Sequence, residues 1–238
     1  GRGSSIDCAK AIGIMATNPG NLRQYSSREG GEIKNRTIPL IVINTTAGTG
    51  SESGIGAVIT DTEKKVKRII GGINMAPDVG ISDPLLTISL PPKQTAATGI
   101  DALSHAVESY VSRNAFSISE ALAKKAIELV SDNLRIVFTD GENIEARKKM
   151  MEGQLLAGMS MSGGLGLVHS IGHNLGAGIY KIPHGMAMGV MMPYVMRFNL
   201  PAKIEKFGDI AEMLGKETSG LSKRDAALSS IDAVVELL

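Results

Sequence analysis

Residues 89–111 read SLPPKQTAATGIDALSHAVESYV. The paired prolines, Pro91 and Pro92, divide the chain into two kinds of sequence. Ahead of them, short runs rich in branched residues alternate with glycine turns. Behind them, one helical pattern follows another. The residues after the prolines place their apolar positions at helical spacing. On such a helix Asp101 and His105 stand at i and i+4, on one face and one turn apart.

Outward toward the C-terminus, four more segments read as helices. They are AFSISEALAKKAIELVSDNL, ENIEARKKMMEGQLLAGMSMS, KIEKFGDIAEMLG and a last one from about Ser222. Among them lies GLVHSIGHNLGAGIYKIPHGM, 166–186, which holds three of the four histidines of the chain, His169, His173 and His184. His169 and His173 repeat the i, i+4 spacing. His184 follows a glycine-rich turn and is held between Pro183 and Gly185. Charged side chains are nearly absent from 153–180, and a buried neutral segment does not readily tolerate several unpaired imidazoles. Two helices that each offer a pair, with one loop histidine, suit a single divalent cation. Imidazole with carboxylate points to Zn or Fe(II). Spacing leaves open which four of the five candidates bind. The methionine-rich MAMGVMMPYVM is expected to be packing.

Outward toward the N-terminus, the pattern is α/β. GRGSS ahead of IDCAKAIGIMATN reads as a glycine turn opening a helix, with Ser4 or Ser5 as its cap and Asp7 in the first turn. Such a turn can offer backbone N–H groups to a phosphate. TIPLIVIN, 37–44, is a continuous apolar run expected to be a strand buried on both faces. It leads into TTAGTGSESG, where hydroxyls of Thr45, Thr46 and Thr49 can meet ribose or phosphate at the carboxyl end of a strand. GAVITD and KKVKRIIGG read as a strand pair around a short turn, and DVGIS as a further short strand.

The bulk composition excludes several classes. The chain has 238 residues and a net charge of +1, with no basic stripe, so nucleic acid and anionic membrane are poor partners. No apolar run is long enough to span a bilayer. A single cysteine, Cys8, rules out an internal disulfide framework and fits a reducing, cytoplasmic setting.

Four motifs in order resemble those of the iron-containing (group III) alcohol dehydrogenase family. They are GRGSSIDCAKAIGI, TTAGTGSE, TAATGIDALSHAVESYV and GLVHSIGHNLGAGIYKIPHG. The resemblance implies an α/β dinucleotide-binding domain over 1–90, incomplete here, and an all-helical metal- and substrate-binding domain over 91–238, in a dehydroquinate synthase-like architecture. It implies Asp101, His105, His169 and His184 as metal ligands, with His173 near the nicotinamide and substrate. Gly1, Gly3 and Ser4 match the pyrophosphate turn, and Lys67 matches a lysine that contacts the cofactor. Arg2 stands where the family has glycine, and Gly54 where it often has threonine. The family's leading segment and part of its tail have no counterpart, so the protein is expected to be longer than this chain.

The implied activity is reversible oxidation of a small alcohol or diol to an aldehyde or ketone. NAD or NADP would take the hydride, and Fe(II), with Zn as the alternative, would act as Lewis acid. His173 would relay the proton, as a group titrating near working pH. A homodimer or higher homo-oligomer is expected. One rival is a metal- and NAD-dependent lyase of the dehydroquinate synthase type. It needs several basic groups for a phosphorylated substrate, and the metal-site segments carry only Lys181 and Arg197 nearby. The other rival is a truncated, non-catalytic remnant.

Overall fold

The structure, a computed structural model, describes residues 3–177 and 182–238. Gly1, Arg2 and Lys181, with 178–180, lie outside the described residues.

The first helix, α1, runs Gly3–Thr17. It begins at Gly3, so Ser4 and Ser5 sit exposed inside its first turn and do not cap it. Asp7 is no cap either. Its carboxylate accepts from Ser51 Oγ at 2.6 Å and from the Val58 N–H at 2.9 Å, tying α1 to the following loop and strand. One turn on, Lys10 is fully buried. Its Nζ donates to the carbonyls of Ser51 and Gly54, both at 2.7 Å, and of Gly56 at 3.0 Å.

Strand β2, Gly56–Asp61, pairs antiparallel with β3, Val66–Gly71. Asp61 closes the turn between them by accepting from the N–H groups of Glu63 and Lys64 at 3.1 Å. Ile14 of α1 packs with Tyr25, Ile33, Ala57, Ile70 and Met75 into a small core against this hairpin.

Strand β1, Ile41–Ile43, lies parallel to β4, Val79–Ile81. The expected long strand over 37–44 buried on both faces is not what forms. Only three residues are extended, and Val42 is 4% exposed between Ile41 at 65% and Ile43 at 43%. Among the described residues this sheet has two strands, and Ile41, Ile43, Val79 and Ile81 are exposed on it.

From Pro92 onward every longer element is a helix. They are α2 (Pro92–Val111), α3 (Ser117–Thr139), α4 (Ile144–Ser160), α5 (Leu167–Ala177), α6 (His184–Asn199), α7 (Ile204–Met213) and α8 (Lys223–Leu237). Local capping agrees with the sequence. Asn143 accepts from the Ala146 N–H to start α4, and Ser222 accepts from the Asp225 N–H to start α8. Helix α2 is the axis of this part. Every residue from Gly99 to Tyr110 is buried, because α3, α4 and α6 pack around it. The methionine-rich stretch is only half packing. Met188, Met192 and Met196 are buried, while Met186, Val190, Tyr194 and Phe198 are exposed on the other side of α6.

The loop 45–54 joins the two parts. Gly50 donates its N–H to Gln154 Oε1 of α4 at 2.9 Å, and the amide nitrogen of Gln154 donates to Glu52. Gly50 and Gly158 meet backbone to backbone there. A Cβ on Gly50 would stand 2.5 Å from the Gly158 Cα.

Candidate metal centre and cofactor loop

Three helices deliver one point. Asp101 and His105 come from α2, His169 from α5, and His184 from the first residue of α6. His184 is therefore a helix-start residue, not the loop residue expected. Its position depends on Gly185, where a Cβ would fall 1.9 Å from the Ala97 carbonyl oxygen of α2. Only a residue without a side chain lets α6 start this close to α2.

The centre is Oδ1 of Asp101. His184 Nε2 lies 3.3 Å from it, His169 Nε2 3.7 Å and His105 Nε2 4.0 Å. Asp101, His105 and His169 each offer one ligand atom within 4.8 Å of the others, all three buried. Asp101 Oδ1 and His169 Nε2 have no hydrogen-bond partner. A buried polar atom left unpaired costs about 1–3 kcal/mol. One divalent cation among these atoms would satisfy both, and the O and N donor set fits iron or zinc.

His173 stands apart from the carboxylate. Its ring centroid is 5.9 Å from that of His169 and 5.2 Å from that of His184. It lines a cavity of about 470 Å3 together with His169, Lys67, Arg28, Ser170 and Asn174. A larger cavity, about 990 Å3, lies beside α1 and β3 and touches none of the histidines. Of its charged lining groups, Arg23, Glu29 and Arg68 are in ion pairs.

Burial governs the protonation states. It lowers His105 to about 4 despite the neighbouring Asp101, and it lowers His184 as well. It lowers His173 to about 3, helped by His184 and Lys67. His173 is therefore a neutral ring at ordinary pH, and the expectation of a group titrating near neutrality does not hold for it. His169 is the exception. Burial pulls it down, but Asp101 and Glu108 outweigh burial and raise it to about 9. Burial also opposes the charge on Asp101, and the surrounding imidazoles outweigh it, holding the carboxyl below its usual range.

The candidate cofactor residues fall in two places. Gly3 opens α1 against Thr49, where a Cβ would approach the Thr49 methyl to 2.6 Å. Thr46 and Thr49 line a cavity of about 180 Å3 that also exposes Asp101 and His184. Thr45 is half-buried and does not line that cavity, and Ser4 is exposed on α1. Lys67 reaches the cavity of His169 and His173 instead, and burial lowers its pKa from the ordinary lysine value. Gly1 lies outside the described residues. Because Arg28 and Lys67 line the histidine cavity, basic groups do reach the site, from the α/β part. The charge count along the helical segments overlooked them.

Sequence reasoning also passed over Glu108. It sits three residues after His105 on the same face of α2, and its carboxylate bonds His169. The spacing Asp101, His105, Glu108 was the available signal.

A helical bundle gathers one carboxylate and three imidazoles, and a threonine and glycine loop joins it to an α/β part. Family models match both parts. The description "Iron-containing alcohol dehydrogenase" matches residues 1–84, and "Fe-containing alcohol dehydrogenase family, C-terminal" matches residues 95–238. The chain belongs to the iron-containing alcohol dehydrogenase family. It is 48% identical to a 1,3-propanediol dehydrogenase of Klebsiella pneumoniae over all of its own length and 61% of the relative's. It is 46% identical to an NAD-dependent methanol dehydrogenase of Bacillus methanolicus, over 98% of this chain and 61% of that one. A solved 1,3-propanediol oxidoreductase superposes with a TM-score of 0.95 at 47% identity, covering 99% of this chain and 61% of the other. An iron-containing alcohol dehydrogenase of Thermotoga maritima gives a TM-score of 0.84 at 33% identity, over 99% and 60%. The chain thus spans about 61% of the length of the curated relatives it matches. Among the described residues no single helix is long and apolar enough to cross a membrane.

Proposed function

We propose that this chain carries the active site of an NAD(P)-dependent, metal-dependent alcohol dehydrogenase acting on a small alcohol or diol. The observation that carries the reading is the convergence of three imidazole Nε2 atoms within 4.0 Å of one buried, unpartnered carboxylate oxygen. Asp101, His105, His169 and His184 would hold Fe(II), or Zn in its place. When bound, the metal supplies Lewis-acid polarisation of the substrate oxygen and the nicotinamide supplies the hydride acceptor.

The chain's own residues supply the rest. His173, a neutral ring in the cavity wall, accepts or returns a proton at a ring nitrogen as the hydroxyl proton leaves. Lys67, in the same wall, provides positive charge for the cofactor or for a polar substrate group. Gly3, Thr46 and Thr49 hold the nucleotide, with Ser4, Thr45 and Gly1 as further contacts. Residues 1–90 form the nucleotide part and 91–238 the metal and substrate part of a dehydroquinate synthase-like architecture. The names of the relatives, a propanediol and a methanol dehydrogenase, support a short substrate. The exposed apolar residues of α6 suit a homo-oligomer.

Metal analysis combined with reduced-nicotinamide absorbance across small alcohols and diols tests the reading. One equivalent of metal and nicotinamide reduction that stops on metal removal are expected. Sustained conversion with no net nicotinamide reduction would favour a lyase, and a protein holding no metal a non-catalytic remnant.

A further inference from the structure

Glu108 is 4% exposed, and its carboxylate hydrogen bonds reach the start of α5. Its Oε1 accepts from the Val168 N–H at 2.6 Å. Its Oε2 lies 2.5 Å from His169 Nδ1 and 3.4 Å from the His169 backbone nitrogen. Backbone N–H groups face both oxygens, so the carboxylate is an acceptor throughout, and the ring nitrogen that meets it must be the donor. In the neutral ring that a cation requires, His169 then keeps its proton on Nδ1 and presents the lone pair of Nε2. Nε2 is the atom with no partner, 3.7 Å from Asp101 Oδ1.

The approach is prepared from both sides. Glu108 follows Asp101 by seven residues and His105 by three on α2, so one helix face carries the carboxylate, the imidazole and the second carboxylate. On the other side Gly166 leaves room. A Cβ there would stand 2.9 Å from Glu108 Oε1. The opening N–H groups of α5 are the unpaired donors of a helix start, and a carboxylate from another helix satisfies them.

We infer that Glu108 is the positioning residue of the centre: by taking the Nδ1 proton of His169 and the first N–H groups of α5, it fixes which nitrogen of His169 faces the other ligands and at what angle. This inference rests on the metal-site reading above. Carboxylate partners of ligating histidines set ring orientation and basicity, and their removal weakens metal binding by about 10–100-fold.

The test uses the intact protein freed of metal and titrated with Co(II) alone, against a competing chelator. The visible Co(II) spectrum reports ligand geometry. In Glu108→Ala the metal-free protein keeps its far-UV circular dichroism, Co(II) affinity falls by about 10–100-fold, and the spectrum changes. Glu108→Gln keeps the shape but has one acceptor to share between the ring and the backbone. It binds Co(II) with intermediate affinity, and it carries the test if the alanine variant does not fold. A role confined to capping α5 would lower the melting temperature of both variants and leave Co(II) affinity and spectrum at wild-type values. That result overturns the inference. Wild-type protein that binds no Co(II) would instead overturn the metal-site reading, so the two failures are distinguishable.

Discussion

Two side chains of similar chemistry do different work because of what surrounds them. His173 and His184 are both neutral imidazoles near the centre, yet only His184 Nε2 lies 3.3 Å from Asp101. Replacing His173 by alanine is therefore expected to leave metal content unchanged and to lower kcat by about 100-fold, the usual scale for a lost proton-transfer group. A wild-type kcat in that variant would remove His173 from the mechanism. Lys10 gives a prediction on pH. Burial lowers it to about 8, partly offset by Asp7 and Glu52. Between about 8 and the ordinary lysine value near 10.5 the unfolded chain holds the proton more firmly than the folded one. Stability at this site therefore rises with pH across that window. In paired melts, wild type is expected to gain on Lys10→Met as pH rises from about 8 to about 10.5. If wild type loses ground instead, the three carbonyl bonds outweigh burial.

The elements depend on close approaches that side chains would block. Gly185→Ala puts a Cβ against the Ala97 carbonyl, so α6 must retreat from α2 and carry His184 with it. The expected cost is about 1–3 kcal/mol, by thermal or urea melts, with metal affinity reduced as well. Unchanged metal binding in that variant would mean that His184 does not depend on the helix start. Gln154→Ala would leave the Gly50 N–H without its acceptor and Glu52 Oε1 with Ser82 Oγ in place of two donors. A loss of about 1–3 kcal/mol and weaker nicotinamide binding by fluorescence titration are expected. Wild-type nicotinamide affinity would separate the loop from the cofactor. These approaches mark where sequence reading stopped. The helical spacing of Asp101 with His105 and of His169 with His173 was legible, as were the hairpin over 56–71 and the helices after Pro92. The burial of 37–44 was misread, because an apolar run announces buried faces without saying whether a neighbour is present. Glu108 and Gln154 were passed over because their partners, His169 and Gly50, lie 61 and 104 residues away in sequence. No local periodicity reports a contact of that range.

At the scale of the whole molecule, the helical core and the α/β hairpin core are separate, and the loop 45–54 and the histidine cavity lie where the two parts meet. The centre is drawn from α2, α5 and α6, so a cation there fastens three helices at once. Bound metal at about 100 times its Kd is expected to add about 2.7 kcal/mol to stability, a rise in Tm of about 5–11 °C for a chain of this size. The central claim is the division of four histidines into three ligands and one neighbour. It is tested most directly by metal content after anaerobic loading with Fe(II), measured on wild type and on alanine variants at His105, His169, His173 and His184. One equivalent is predicted in wild type and in His173→Ala, with loss of bound metal in the other three. Equal loss in all four variants, or full retention in His184→Ala, would contradict it.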